Sequence, residues 1–198
     1  MPIHYHQPSQ LSATQPPAQA LPPVRVITKQ IPYGNAGIMV SAKEMVNMVK
    51  MFRKNQDRVR FLAEDIVKGC ANKDYYCEAR KLYDWIKSNI AFRRDINHVE
   101  MLRSPIVTLD RRAGDCDCHT ILYGSLAQSI GLPTRIVLVA TRRNKPKNFN
   151  HVFSEVQVPV NGVLKWLPAD TTPLTVGGPT FAFGELPPAY TYKRLEII

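Results

Sequence analysis

The sequence has no run long and apolar enough to span a membrane as a helix. Its longest strongly apolar stretch, Ile136-Val137-Leu138-Val139-Ala140, is far short of the ~20 residues a spanning helix needs. No export signal is expected either: MPIHYHQPSQ offers neither a basic n-region nor an apolar h-region. Met1-Pro2 and the terminal Ile198 fit no lipidation motif. Acidic residues are absent from residues 1–35. Cysteine is scarce, with only Cys70, Cys77, Cys116 and Cys118. Without an export signal, the expectation is reduced thiols in a cytosol-like compartment.

What is present suffices for one domain with a core. The chain has 198 residues, 44% hydrophobic and 21% charged, close to globular averages. Seven of its 16 prolines fall in the first 32 residues. That stretch has no amphipathic period and little apolar area to offset its ordering entropy. Residues 1–40 therefore read as an extended or disordered Pro-rich arm, and 41–198 as the folded domain. The formal net charge of +10 admits acidic partners but carries no information about fold.

Periodicity places helices first. Ser41-Ala42-Lys43-Glu44 fits a capping box. Met45, Met48, Val49, Phe52, Val59, Leu62 and Ile66 then form one stripe of a long helix stopped at Gly69. A second helix is expected from about Lys73 to Ile90, with Tyr75, Ala79, Leu82 and Ile86 as its buried stripe. The stretch from Phe92 to Arg112 reads as irregular, with Ser104-Pro105 as a breaker. A third helix starts at or beside Cys116 after Gly114 and ends at Gly131-Leu132-Pro133. Strand-like runs follow at Thr134–Thr141, His151–Val158 and Leu164–Leu167, and Asn161-Gly162 is a hairpin signal between the last two. Helices followed by an antiparallel sheet define an α+β domain.

Three residues stand where chemistry could be done. A thiol at a helix N-terminus, as at Cys116, is expected to lose its proton readily, because the dipole and unpaired amides favour the thiolate. The same amides could receive an oxyanion. His151 opens a strand and Asp170 closes its hairpin partner. With a two-residue turn at Asn161-Gly162, opposed residues have numbers that sum to 323, so Asp170 faces Phe153 on the same face as His151. A carboxylate there could orient the imidazole as a base for a nucleophile.

Several segments carry a resemblance. Gly114-Asp115-Cys116-Asp117, Ser129-Ile130-Gly131-Leu132-Pro133-Thr134-Arg135, His151-Val152-Phe153-Ser154-Glu155-Val156 and Trp166-Leu167-Pro168-Ala169-Asp170-Thr171-Thr172 resemble the transglutaminase-like superfamily. The looser segments Asn89–Asp95, Leu102–Pro105 and Phe183–Ala189 resemble its bacteriophage-encoded subset. The resemblance implies a papain-like core, with N-terminal helices and the nucleophile helix packed on an antiparallel sheet. It implies Cys116 as nucleophile, His151 as base and Asp170 as orienter. The function implied is that of a thiol-dependent amide hydrolase or acyltransferase working through a Cys acyl-enzyme. Its substrate would be a peptide, isopeptide or cell-wall amide. The alternative is a phage virion structural or assembly protein that keeps the fold and contacts other virion proteins through the arm. The expected location is the host cytoplasm or the virion. Two departures stand out: Cys118 where phage-type relatives usually carry an acidic residue, and Pro168-Ala169-Asp170 in place of the commoner Leu-Asp-Pro.

No cofactor or metal is expected. Cys116-Asp117-Cys118-His119 could supply three metal ligands, but no CxxC or HxxxH partner completes a zinc set. Arg142-Arg143-Asn144-Lys145-Pro146-Lys147 puts four cations just before His151, either as a solvated loop or as a rim that steers acidic substrates. Only Phe149 is near enough for base stacking, which argues against nucleic acid.

Overall fold

The computed structural model describes residues 30–55, 57–95, 101–175 and 177–197. Most of the expected arm (residues 1–29) and the part of the expected irregular stretch at 96–100 lie outside the described residues.

The first helix, α1 (Asn35–Asn55), begins upstream of Ser41, so the capping box expected there is not a helix start. Ser41 is buried inside the helix. The cause is tertiary: the Asn35 side chain donates to the Lys147 carbonyl at 2.7 Å and accepts from the Phe149 amide at 3.0 Å. Ile38 and Met39 then join Ala42, Met45 and Val49 in one apolar cluster with Ile121, Ile136 and Val152. The single long helix expected to Gly69 is two, α1 and α2 (Asp57–Val67). The predicted stripe survives the division: Met45, Val49, Phe52 and Val59 are buried.

Helix α3 (Tyr75–Asn89) is capped by Asp74, whose carboxylate accepts from the Cys77 amide at 3.0 Å. Ala79, Leu82 and Ile86 are buried as expected, but Tyr75 is exposed and Tyr83 takes its place in the core. Cys70 and Cys77 form a disulfide, which corrects the expectation of reduced thiols at these two positions. The turn after α2 returns the chain to the first turn of α3, bringing their Cα atoms to 5.8 Å, within bridging range. Ser104-Pro105 is a helix start rather than a breaker. The Ser104 hydroxyl accepts from the Val107 amide and Pro105 opens α4 (Pro105–Arg111), a position where its missing N–H costs nothing. Two short strands, β1 (Ala91–Phe92) and β2 (Ala113–Gly114), pair in parallel on either side of α4.

Helix α5 (Cys116–Ser129) is the axis of the core. Every residue from Cys118 to Ala127 is buried, as befits a helix covered on all sides. It packs against α1, α2, α3 and α4 and against the sheet. Gly124 permits the contact with α1, since a Cβ there would meet Val49 at 3.1 Å. The sheet comprises β3 (Thr134–Ala140), β4 (His151–Val160), β5 (Val163–Ala169) and β6 (Thr191–Glu196), antiparallel in the order β5-β4-β3-β6. The hairpin turns at Asn161-Gly162, both with positive φ. Its register pairs Val160 with Val163 and Ser154 with Ala169, the sum of 323 expected for a two-residue turn. Strand β6 was not anticipated; it closes the free edge of β3. The fold is α+β, with helices before an antiparallel sheet. No helix among the described residues is long and apolar enough to cross a membrane.

Candidate active site

Cys116 is the first residue of α5, and its position is fixed from both sides. Upstream, Asp115 caps the helix, accepting from the Cys118 amide at 3.1 Å. Gly114 lies so close to the first turn that a Cβ would meet the Cys118 Cβ at 2.4 Å; no larger residue fits there. With Cys118 capped by Asp115, the Cys116 amide is a first-turn donor that the helix cannot satisfy internally. Across the core, the Thr120 hydroxyl reaches both the Cys116 carbonyl (2.7 Å) and the Val152 carbonyl (3.3 Å). Ser154 donates to the Thr120 carbonyl at 3.2 Å. These bonds clamp the N-terminal end of α5 to the start of β4.

His151 is the first residue of β4, and Asp170 follows the last residue of β5. The register brings them together: His151 Nε2 and Asp170 Oδ2 are 2.6 Å apart, and both side chains are buried. The other oxygen of Asp170 accepts from the Thr172 amide (3.2 Å) and the Thr172 hydroxyl (3.1 Å). The carboxylate is thus held by three donors, and the imidazole has Nε2 committed and Nδ1 left over. The Cys116 thiol meets the strand at Val152, next to His151, and the Val152 amide stabilises its anion.

The electrostatics of Cys116 correct one expectation. Burial pushes its thiol well above the ordinary range, and the carboxylates of Asp117, Asp115 and Asp170 add to the push; only the Val152 amide opposes it. Burial and the nearby carboxylates thus favour the thiol, against the thiolate that a helix terminus alone would favour. Cys118 turns away. It is fully buried, takes a hydrogen bond from Arg103 at 3.5 Å and donates to the Met101 carbonyl at 3.7 Å. Burial, with Asp115 next to it, raises that thiol to about 12. The two cysteines therefore face different surroundings, as a step of ~200° around a helix demands.

His119 lies in the interior rather than at the surface. It is buried, and its Nδ1 lies 2.9 Å from the Thr171 hydroxyl. Burial lowers its pKa to about 4, against opposing pulls from the Ala91 backbone and Asp170. It ties the second turn of α5 to the residue after Asp170. Among the described residues, no three His, Cys, Asp or Glu side chains are placed to hold a metal ion. Sequence reasoning missed the roles of Thr171 and Thr172. The available signal was two hydroxyl residues directly after a carboxylate, which readily bond it locally.

The profile of the transglutaminase-like superfamily matches residues 60–171, more than half of the chain, including the elements that carry Cys116, His151 and Asp170. The protein belongs to this superfamily. Among solved structures, the chain is similar to a candidate cysteine protease from Cytophaga hutchinsonii, at 24% identity and a TM-score of 0.47, over 65% of this chain and 42% of that one. It is also similar to a candidate protease from Parabacteroides distasonis, at 14% identity and a TM-score of 0.47, over 74% of this chain and 32% of that one. The match thus spans less than half of either protein. No curated protein matches the chain.

Proposed function

We propose that the protein is a thiol acyl-transfer enzyme acting on amide bonds, with Cys116 as nucleophile, His151 as general base and Asp170 as the group that orients it. The observation that carries this reading is the buried 2.6 Å contact between His151 and Asp170 beside a helix-terminal thiol. Because the thiol rests protonated, the chemistry needs a base at the moment of attack. His151 Nδ1 takes the proton as sulfur bonds to the amide carbonyl carbon. Asp170 stabilises the imidazolium, and the Cys116 amide at the helix terminus receives the oxyanion. The imidazolium then gives its proton to the departing amine, leaving a thioester. Water, or a second amine, attacks that thioester with His151 again as base, which restores the thiol. Peptides, isopeptides and cell-wall crosslinks all present the required amide.

The test is acylation by p-nitrophenyl acetate, following nitrophenolate release and mapping the acetyl group by mass. The acetyl should sit on Cys116, and His151→Ala should suppress its formation at neutral pH. Acetylation of another residue, or an unchanged rate in His151→Ala, would sink the assignment. A second reading, a phage virion or assembly component that keeps the fold, draws support from the protonated thiol and the proline-rich sequence of residues 1–40. It requires a Cys116 that stays unacylated until the pH reaches the thiol's own titration.

A further inference from the structure

One face of the fold, bordering the residues that lead into α5, carries an unusual set of charges. A cavity of about 630 Å³ lies between β1, β2 and the segment before α4, and five arginines line it: Arg93, Arg94, Arg103, Arg111 and Arg112. Among the described residues, no carboxylate and no aromatic side chain lines it. Gly114 forms part of the wall, two positions before the thiol. The wall is rigid there, because the Arg93 amide donates to the Gly114 carbonyl and the Ala91 amide to the Arg112 carbonyl, both at 2.8 Å.

Two of the five guanidinium groups are engaged elsewhere. Arg103 pairs with Asp95 at 3.1 Å and contacts the Cys118 sulfur, and Arg112 lies over the Trp85 ring at 5.6 Å. Arg93, Arg94 and Arg111 are exposed at the cavity. Like charges converging without an anion repel one another, and such a cleft concentrates negative ligands. Guanidinium groups pair with carboxylates through two parallel hydrogen bonds.

We infer that this cavity is a substrate subsite for acidic peptide, binding carboxylates next to the amide that Cys116 attacks. The inference rests on the acyl-transfer reading for the identity of the reacting centre, and it adds the class of substrate. Phosphate-backbone ligands fit less well, since a nucleic-acid groove interleaves aromatic side chains for stacking and none lines the cavity.

The experiment measures binding and thiol protection separately, on the full chain. Fluorescein-labelled (Glu-Gly)3 and its isostere (Gln-Gly)3 are titrated with Cys116→Ala protein and followed by anisotropy. The Glu peptide should bind about tenfold or more tighter, and the difference should shrink as salt rises toward ~0.3 M. Arg93→Gln, Arg94→Gln and Arg111→Gln should each weaken it about two- to fivefold, and the triple variant should remove the preference. Thermal melts matching the parent would show that these exposed substitutions leave the fold intact. Arg143→Gln with Lys145→Gln, in the exposed loop before β4, should change little. On the parent, bound Glu peptide should slow iodoacetamide alkylation of Cys116. Equal affinity for the two peptides, or a triple variant that binds like the parent, would overturn the proposal. So would an oligonucleotide of equal charge binding more tightly with the same arginine dependence. Failure of the acylation test with arginine-dependent Glu-peptide binding intact would sink the acyl-transfer reading alone. Acylation without acidic preference would sink only the subsite.

Discussion

Asp170→Asn is the substitution that most directly interrogates the site. The two oxygens of Asp170 have different partners: Oδ1 accepts from the Thr172 amide and hydroxyl, while Oδ2 faces His151 Nε2. An asparagine of the same shape must keep its oxygen toward the Thr172 donors, because an NH2 group there would leave the Thr172 amide without an acceptor. Its NH2 then points at His151 Nε2, which must accept instead of donate. The imidazole proton moves to Nδ1, the nitrogen needed to take the thiol proton. This wrong-tautomer effect has cost about 10⁴-fold in the serine-protease template, and removing a general base typically costs about 10²–10⁴-fold. Here the loss should lie toward the upper end, ~10³–10⁴-fold or about 4–5.5 kcal/mol of barrier. A resting thiolate would have softened the dependence, but burial and three carboxylates keep Cys116 protonated. Stability should fall by only about 1.5–3 kcal/mol from the lost charge-assisted bond. The assay is the rate of nitrophenolate release on acylation of Cys116, across pH, with a thermal melt as the fold control. Superimposable pH–rate curves for parent and variant would refute the argument.

Other predictions follow from the same interior. His119 has its folded pKa lowered from 6.5 to about 4, so its contribution to stability is present above pH 6.5 and is lost as pH falls toward 4. The loss is on the order of 3 kcal/mol; melting curves should show His119→Gln falling less steeply than the parent over that window. In His151→Ala, alkylation of Cys116 should be slow at neutral pH and rise only above the ordinary thiol range, because the raised thiol must then ionise unaided; rapid labelling at pH 7 would contradict this. Leu122→Ala, in the fully buried centre of α5, should cost about 2–5 kcal/mol by denaturant unfolding. Opening the Cys70–Cys77 bridge, whose partners are seven positions apart, should cost about 2–3 kcal/mol by the loop-entropy relation. Comparing Cys70→Ser/Cys77→Ser with the parent by thermal melt checks it.

Much of the architecture could be read from local pattern. The stripe through Met45, Val49, Phe52 and Val59, the start of α5 at Cys116, and the hairpin at Asn161-Gly162 each rest on a repeat or turn chemistry contained in a short window. The His151–Asp170 pairing was legible for the same reason: a two-residue turn fixes register, and register fixes which side chains share a face. Where local signals had more than one outcome, sequence reasoning erred. Ser104-Pro105 can end one helix or cap the next, and α4 shows it capping. Ser41 can start a helix or sit within one, and the anchoring of Asn35 to the loop before β4 selected the second.

Local pattern alone gave helices ahead of an antiparallel sheet, the hairpin register and the identity of the three residues proposed to react. Only the tertiary structure decided that Cys70 and Cys77 meet, that β6 completes the sheet, and that Cys116 rests as a thiol. It also gathered Arg93, Arg94, Arg103, Arg111 and Arg112 around one cavity. The physical reason is common to all four. Turn and helix chemistry act through neighbours along the chain, whereas desolvation, strand addition and convergence of charge depend on groups that meet only when distant segments pack.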